Sequence, residues 1–104
     1  MANYLITYRG GRMADTDEER QAMMAAWGAW FGQLGSSVVD PGNPLAASAT
    51  VDGDGNVRDE ATSELNGYSV LAADDLAAAS ELAKGCPILK DGGSVDVYEI
   101  HAVM

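Results

Sequence analysis

The order of helix-like and strand-like segments constrains the fold of this chain more than any other feature of its sequence. Residues 16–34 and 74–84 have the apolar spacing of helices, together with start and stop signals. Strand-like segments precede, separate and follow them, which predicts the order β-α-β-β-α-β. Two helices on one face of an antiparallel sheet form an open-faced α+β sandwich. We expect one domain over residues 1–104.

The first helix has the clearer boundaries. Thr16 and Glu19 form a capping box, in which the threonine oxygen accepts an N-terminal N–H and the glutamate reaches back. Gly35 is typical of a helix C-terminus. Large apolar side chains recur behind the cap at helical spacing: Met23, Trp27, Trp30 and Leu34.

The second helix and the strands are marked by shorter signals. Asp74 or Asp75 caps the helix, and Gly85 and Pro87 end it. The Asp-Gly-Asp-Gly sequence of residues 52–55 predicts a hairpin turn. The predicted strands are residues 3–9, 46–51, 56–59, 67–72 and 94–103.

The last predicted strand is apolar on both faces. Val95 and Val97 lie on one face, whereas Tyr98, Ile100 and Ala102 lie on the other. Such a sheet needs a second cover, and the predicted elements include no third helix. We therefore expect a second copy of the chain to cover it, forming a homodimer.

Charge and cysteine content limit the partners and the compartment. The 16 acidic and 6 basic residues give a net charge of −10, which disfavours nucleic acid and anionic membranes. Residues 1–9 do not resemble a signal peptide, and no apolar run reaches the roughly 20 residues of a membrane span. A single cysteine, Cys86, is expected to be buried and fits a reducing compartment. The predicted location is the cytoplasm.

Metal and cofactor sites are not indicated. Residues 52–56 imitate the start of a calcium loop, but Val57 and Ser63 occupy the positions that need glycine and a bidentate acid. One histidine and one cysteine do not make a zinc site. We predict no metal and no cofactor.

Two residues are candidates for acid/base chemistry. His101 is the only histidine, and strand alternation puts it on the same face as Glu99, which would raise its pKa and orient it. The alternative is a solvated histidine near the C-terminus. Asp40 begins a loop of prolines and glycine, where it acts either as an acid/base or as a turn-forming residue.

Glu99 is also a candidate for ligand binding, and three further residues share this expectation. Trp27 and Trp30 could line an aromatic pocket, although their spacing also suits a helix packed in the core. Asn43 lies in the same loop as Asp40 and has the same turn-forming alternative. Together they predict a pocket framed by the first helix and this loop.

Five segments in this order resemble the YCII-related family, including its DGPF branch. They are AAWGAWF (25–31), VDPGNP (39–44), LNGYSV (65–70), AKGCP (83–87) and VDVYE (95–99). The resemblance implies a ferredoxin-like fold paired into a dimeric α/β barrel. It implies little biochemistry: most members have no assigned activity, some resemble small-molecule lyases or dehydrochlorinases, and some accompany extracytoplasmic-function sigma factors.

The chain departs from that family at its suspected catalytic residues. In the better-understood members, a histidine on the first helix pairs with a downstream aspartate. Residues 16–34 contain no histidine, and residues 59–62 (DEAT) stand near the expected place of the DGPF tetrapeptide. Only Asp40 matches a residue of the family's suspected site.

Three functional hypotheses follow. The first is a dimeric small-molecule-binding or accessory domain. The second is a small-molecule lyase or hydrolase that uses Asp40, with or without His101, as an acid/base. The third is a regulatory domain that binds a protein such as a sigma factor.

Overall fold

The order of secondary-structure elements matches the predicted one, except that residues 38–40 form a strand that was not predicted. A computed structural model describes residues 1–12, 14–61 and 64–101. Short 3-10 helices span Gly35–Ser37 and Pro87–Asp91. The main elements are β1 (Ala2–Arg9), α1 (Asp17–Leu34), β2 (Val38–Asp40), β3 (Thr50–Val51), β4 (Val57–Arg58), β5 (Leu65–Ala73), α2 (Leu76–Ala83) and β6 (Ser94–Glu99).

Four strands form an antiparallel sheet in the order β2-β5-β1-β6, and β3 pairs with β4 in a separate hairpin. Side chains alternate across the sheet, so Tyr4, Ile6 and Tyr8 of β1 are all buried with Leu71 of β5. These residues form one core cluster with Trp30 and other residues of the helical layer. The predicted α+β, ferredoxin-like fold is confirmed.

The helix boundaries are also confirmed, because both caps form as hydrogen bonds. Thr16 Oγ1 accepts from the N–H of Glu19 at 3.1 Å, whereas the Glu19 carboxylate accepts from the N–H of Asp15 at 2.9 Å. Asp75 is the cap of α2, and its carboxylate accepts from the N–H of Ala78 at 2.8 Å. Local sequence alone sets these bounds.

Three predicted strands were too long. β6 ends at Glu99, although the N–H of Ile100 still bonds to the carbonyl of Asn3 at 2.9 Å. Ala102 lies outside the described residues. The hairpin strands have two residues each, and the N–H of Leu45 before them bonds to Asn66 at the start of β5 instead.

The open face of the sheet has no helix over it in the part of the chain that the structure describes. Tyr98 of β6 is 55% exposed and Val39 of β2 is 52% exposed. Arg9 and Asp96 form an ion pair on this face, with Nε 3.0 Å from Oδ2. Within the described residues, no helix has the length and apolar character needed to cross a membrane.

Candidate functional site

A cleft of about 400 Å³ lies between α1, loop 41–44 and the start of β5. Trp27 and Phe31 of α1 form one side, and loop 41–44 forms the other. Tyr8 of β1 and Ser69 of β5 form the floor. The cleft is therefore enclosed by the predicted helix and the predicted loop.

A larger hollow of about 750 Å³ lies on the open face of the sheet, around Thr7 and Arg9. Arg9, the cation in this hollow, already forms an ion pair with Asp96. The hollow also occupies the face that we expect a second chain to cover. We therefore place the candidate site in the smaller cleft.

Aromatic rings form the helical side of the cleft. The Trp27 ring meets the Tyr8 ring edge to face, with centroids 4.9 Å apart and planes at 88°. Its centroid lies 5.8 Å from that of Trp30 and 6.0 Å from that of Phe31. The half-buried Trp27 thus faces both the cleft and the core.

Trp30 lies in the core rather than on the cleft surface. It is 3% exposed, and its indole N–H donates to the carbonyl of Leu82 in α2 at 3.1 Å. This hydrogen bond joins the two helices. Of the two tryptophans predicted to line a pocket, the structure places only Trp27 on the cleft surface.

Loop 41–44 is held against β5 by its backbone. Gly42 has a φ of +73°, and its N–H donates to the Asp40 carboxylate at 2.8 Å. The N–H of Tyr68 donates to the carbonyl of Asn43 at 3.3 Å, and Pro44 forms a β-bridge with Gly67. The loop side of the cleft is therefore held in place by the protein's own backbone.

The floor contains a buried chain of hydrogen bonds. The Tyr8 hydroxyl donates to Ser69 Oγ at 2.7 Å, and the Ser69 hydroxyl donates to the carbonyl of Pro41 at 2.7 Å. Burial raises the pKa of Tyr8 to about 12, so this phenol stays protonated at neutral pH.

Sequence reasoning missed both Tyr8 and Ser69 as site residues. One available signal was Ser69, a polar residue at an inward position of the predicted strand 67–72. A buried hydroxyl needs a hydrogen-bond partner. The sequence did not show which residue bonds to Ser69, because Tyr8 is 61 positions away.

The two candidate acid/base residues lie at opposite edges of the sheet. Asp40 ends β2 and His101 follows β6, so β5 and β1 separate them. Three strand spacings correspond to about 14 Å. Both residues are exposed, and neither lines the cleft. The structure does not bring them together, and an acid/base role for either stays a prediction.

The remaining candidates divide between the cleft and the far edge of the sheet. Asn43 lines the cleft from the loop. Glu99 lies at the β6 edge, outside the cleft, and accepts a 3.3 Å hydrogen bond from the Tyr4 hydroxyl. A ligand-binding role for either residue stays a prediction.

Acidic residues outside the cleft accept hydrogen bonds within the protein. Asp52 accepts from the N–H groups of Asp54 and Asn56, both at 3.0 Å, and these backbone hydrogen bonds, that of Asn56 foremost, lower its pKa. The hairpin interpretation of residues 52–55 is confirmed. Over the described ranges, no group of three His, Cys, Asp or Glu residues could hold a metal ion.

This geometry defines a class of protein: a ferredoxin-like α+β domain with a small apolar cleft between its first helix and its sheet. The family model of the YCII-related domain matches residues 2–103. The chain therefore belongs to the YCII-related family, as the five sequence segments predicted. A comparison with curated proteins found no match.

Proposed function

We propose that this protein binds a small, largely apolar molecule in the cleft between α1 and loop 41–44. The observation that carries the proposal is the cleft itself. Its volume of about 400 Å³ falls within the range of small-molecule sites, which are usually preformed and apolar with a few polar groups. Aromatic side chains on one side and an ordered loop on the other fit that description.

The lining of the cleft favours binding over acid/base catalysis. Among the described residues that line it, none is Asp, Glu, His, Lys or Arg. Tyr8 is protonated at neutral pH and already donates to Ser69. The side chains at hand can therefore orient a ligand, but they supply no general base at neutral pH.

The proposal includes a homodimer that pairs the open faces of two sheets. The exposed side chains of Tyr98 and Val39 on this face support it. An isologous interface would cover the same apolar positions on both chains. In this arrangement each protomer keeps its own cleft on the opposite side of its sheet.

Nuclear magnetic resonance offers a direct test, because the two tryptophans give two indole N–H signals. Benzofuran, an apolar bicyclic probe, should shift the Trp27 signal saturably and leave the signal of the buried Trp30 nearly unchanged. Trp27→Ala removes one side of the cleft and should weaken binding at least fivefold.

Met24→Ala is the matched control, because Met24 is on the same helix and is 69% exposed. This variant should bind benzofuran as the unmodified protein does. Absence of saturable binding, or equal effects of the two substitutions, would contradict the proposal.

A further inference from the structure

We infer that the cleft selects ligands that carry a hydrogen-bond donor, and that the Tyr8 oxygen is the acceptor that recognises it. This inference rests on the proposed binding function. It follows from the direction in which each hydroxyl at the floor of the cleft donates its proton.

The carbonyl of Pro41, the last acceptor in the hydrogen-bond chain, sets the direction of both hydrogen bonds. A carbonyl oxygen has no proton, so the single proton of the Ser69 hydroxyl must point to Pro41 across their 2.7 Å separation. Ser69 can then only accept from Tyr8, whose oxygen is 2.7 Å away. The proton of Tyr8 is therefore directed into the protein.

Tyr8 has acceptor capacity left and no donor. A phenolic oxygen that donates its proton still has a lone pair for a second partner. Tyr8 and Ser69 both line the cleft, so a ligand bound there is the partner within reach of this lone pair. A ligand carbonyl placed there would bring its own lone pairs against the lone pair of the Tyr8 oxygen. A ligand N–H or O–H would instead donate a hydrogen bond to that oxygen.

Three N–H groups close to the cleft already donate to acceptors within the protein. Those of Gly42 and Tyr68 donate to Asp40 and Asn43, respectively. The side-chain amide of Asn66 donates to the carbonyl of Gly10. These hydrogen bonds order the loop and the strand ends, so these three N–H groups do not take part in choosing the ligand.

The chemical class that fits is a flat, apolar molecule with one N–H or O–H group, such as a nitrogen heterocycle or a phenol. Indole and benzofuran test this directly, because they share size and shape but differ in one ring atom. A net hydrogen bond of about 0.5–1.5 kcal/mol corresponds to a preference for indole of about two- to thirteenfold.

Two substitutions at the floor test the role of Tyr8. Tyr8→Phe removes the acceptor, so the preference for indole should disappear while the affinity for benzofuran is retained. Ser69→Ala frees the proton of Tyr8 to turn toward the cleft, so the preference should also fall. Ser69→Ala provides the test independently if Tyr8→Phe does not fold.

The outcomes separate this inference from the proposed function. Equal binding of indole and benzofuran by the unmodified protein would overturn the inference and leave the binding function standing. A preference for indole that survives Tyr8→Phe would also overturn it. Saturable binding of neither probe at millimolar concentration would overturn both.

Discussion

Gly42 packs directly against the backbone of Tyr68. A Cβ atom at position 42 would overlap the Tyr68 carbonyl oxygen and lie 2.6 Å from its carbonyl carbon. Gly42 also has a φ of +73°, a conformation that side chains rarely adopt. The contact holds loop 41–44 at one distance from β5, and that distance sets the width of the cleft.

Gly42→Ala should therefore damage the cleft and the fold together. We expect the free energy of unfolding to fall by about 1–3 kcal/mol, because the substitution combines strain with a steric overlap. Benzofuran binding should be lost at temperatures where the variant is still folded. Urea denaturation and NMR titration measure the two effects, and unchanged values for both would contradict the packing described above.

Alanine substitutions at Gly28 and Gly32 should instead increase the stability of the fold. Both are exposed on α1, and a Cβ at either position would meet no atom within 4 Å. Replacing each with alanine should raise the free energy of unfolding by about 1 kcal/mol, the difference in helix propensity. Urea denaturation checks the sign; a loss of stability would mean that this face of the helix is packed against another surface.

The two tryptophans should differ in their contribution to stability. Trp30→Phe removes the hydrogen bond to Leu82 and part of a buried ring, so we expect a loss of about 1–2 kcal/mol. Trp27→Phe, at a half-buried position on the cleft surface, should cost less. Denaturation of both variants side by side measures the difference, and equal losses would argue against the core position of Trp30.

Alkaline pH should destabilise the protein through two buried groups. Burial raises the pKa of Cys86 from 9.0 to about 11 and that of Tyr8 from 10.0 to about 12. The pKa of Tyr4 is raised as well, first by burial and then by Glu99. The folded state holds these protons more tightly than the unfolded chain does. The associated stability is complete below pH 9 and is lost as the pH rises toward 12.

Each of the two large shifts corresponds to about 3 kcal/mol at full titration. Urea denaturation at intervals between pH 8 and 11 should show the decline. Cys86→Ala should remove the part that begins near pH 9 and leave the later part, due to Tyr8, in place. A free energy of unfolding that is constant up to pH 11 would contradict the burial of both groups.

The dimer proposal is tested by a charge on the open face of the sheet. Tyr98→Asp places a carboxylate within the expected interface, so it should convert a dimer into monomers. Val57→Asp, on the separate hairpin, is the control, because Val57 is 65% exposed. Sedimentation velocity distinguishes the two states. A monomeric unmodified protein, or a dimer that tolerates Tyr98→Asp, would refute this interface.

Helix boundaries and strand faces could be predicted because they depend on neighbouring residues. Thr16 and Asp75 cap helices through hydrogen bonds that span three residues. The alternation of Tyr4, Ile6 and Tyr8 on the buried face follows from the two-residue period of a strand. The predicted length of β6 was wrong because the alternation in residues 94–103 marks the faces of a strand but not the point where the strand ends, which is Glu99.

The residues that meet at the site were decided by the order of strands in the sheet. Tyr8 and Ser69 approach because β1 and β5 are neighbours, whereas Asp40 and His101 are kept apart because β2 and β6 are opposite edges. Composition and periodicity specify which residues face inward, but they carry no information about which strands pair. The amino-acid pattern thus determined the two helices, the strands before and after them and the inner face, but not the short strand β2. Only the tertiary fold brought a phenol, a serine and a proline carbonyl into one hydrogen-bonded chain beneath an aromatic cleft, because that chain joins residues far apart in sequence.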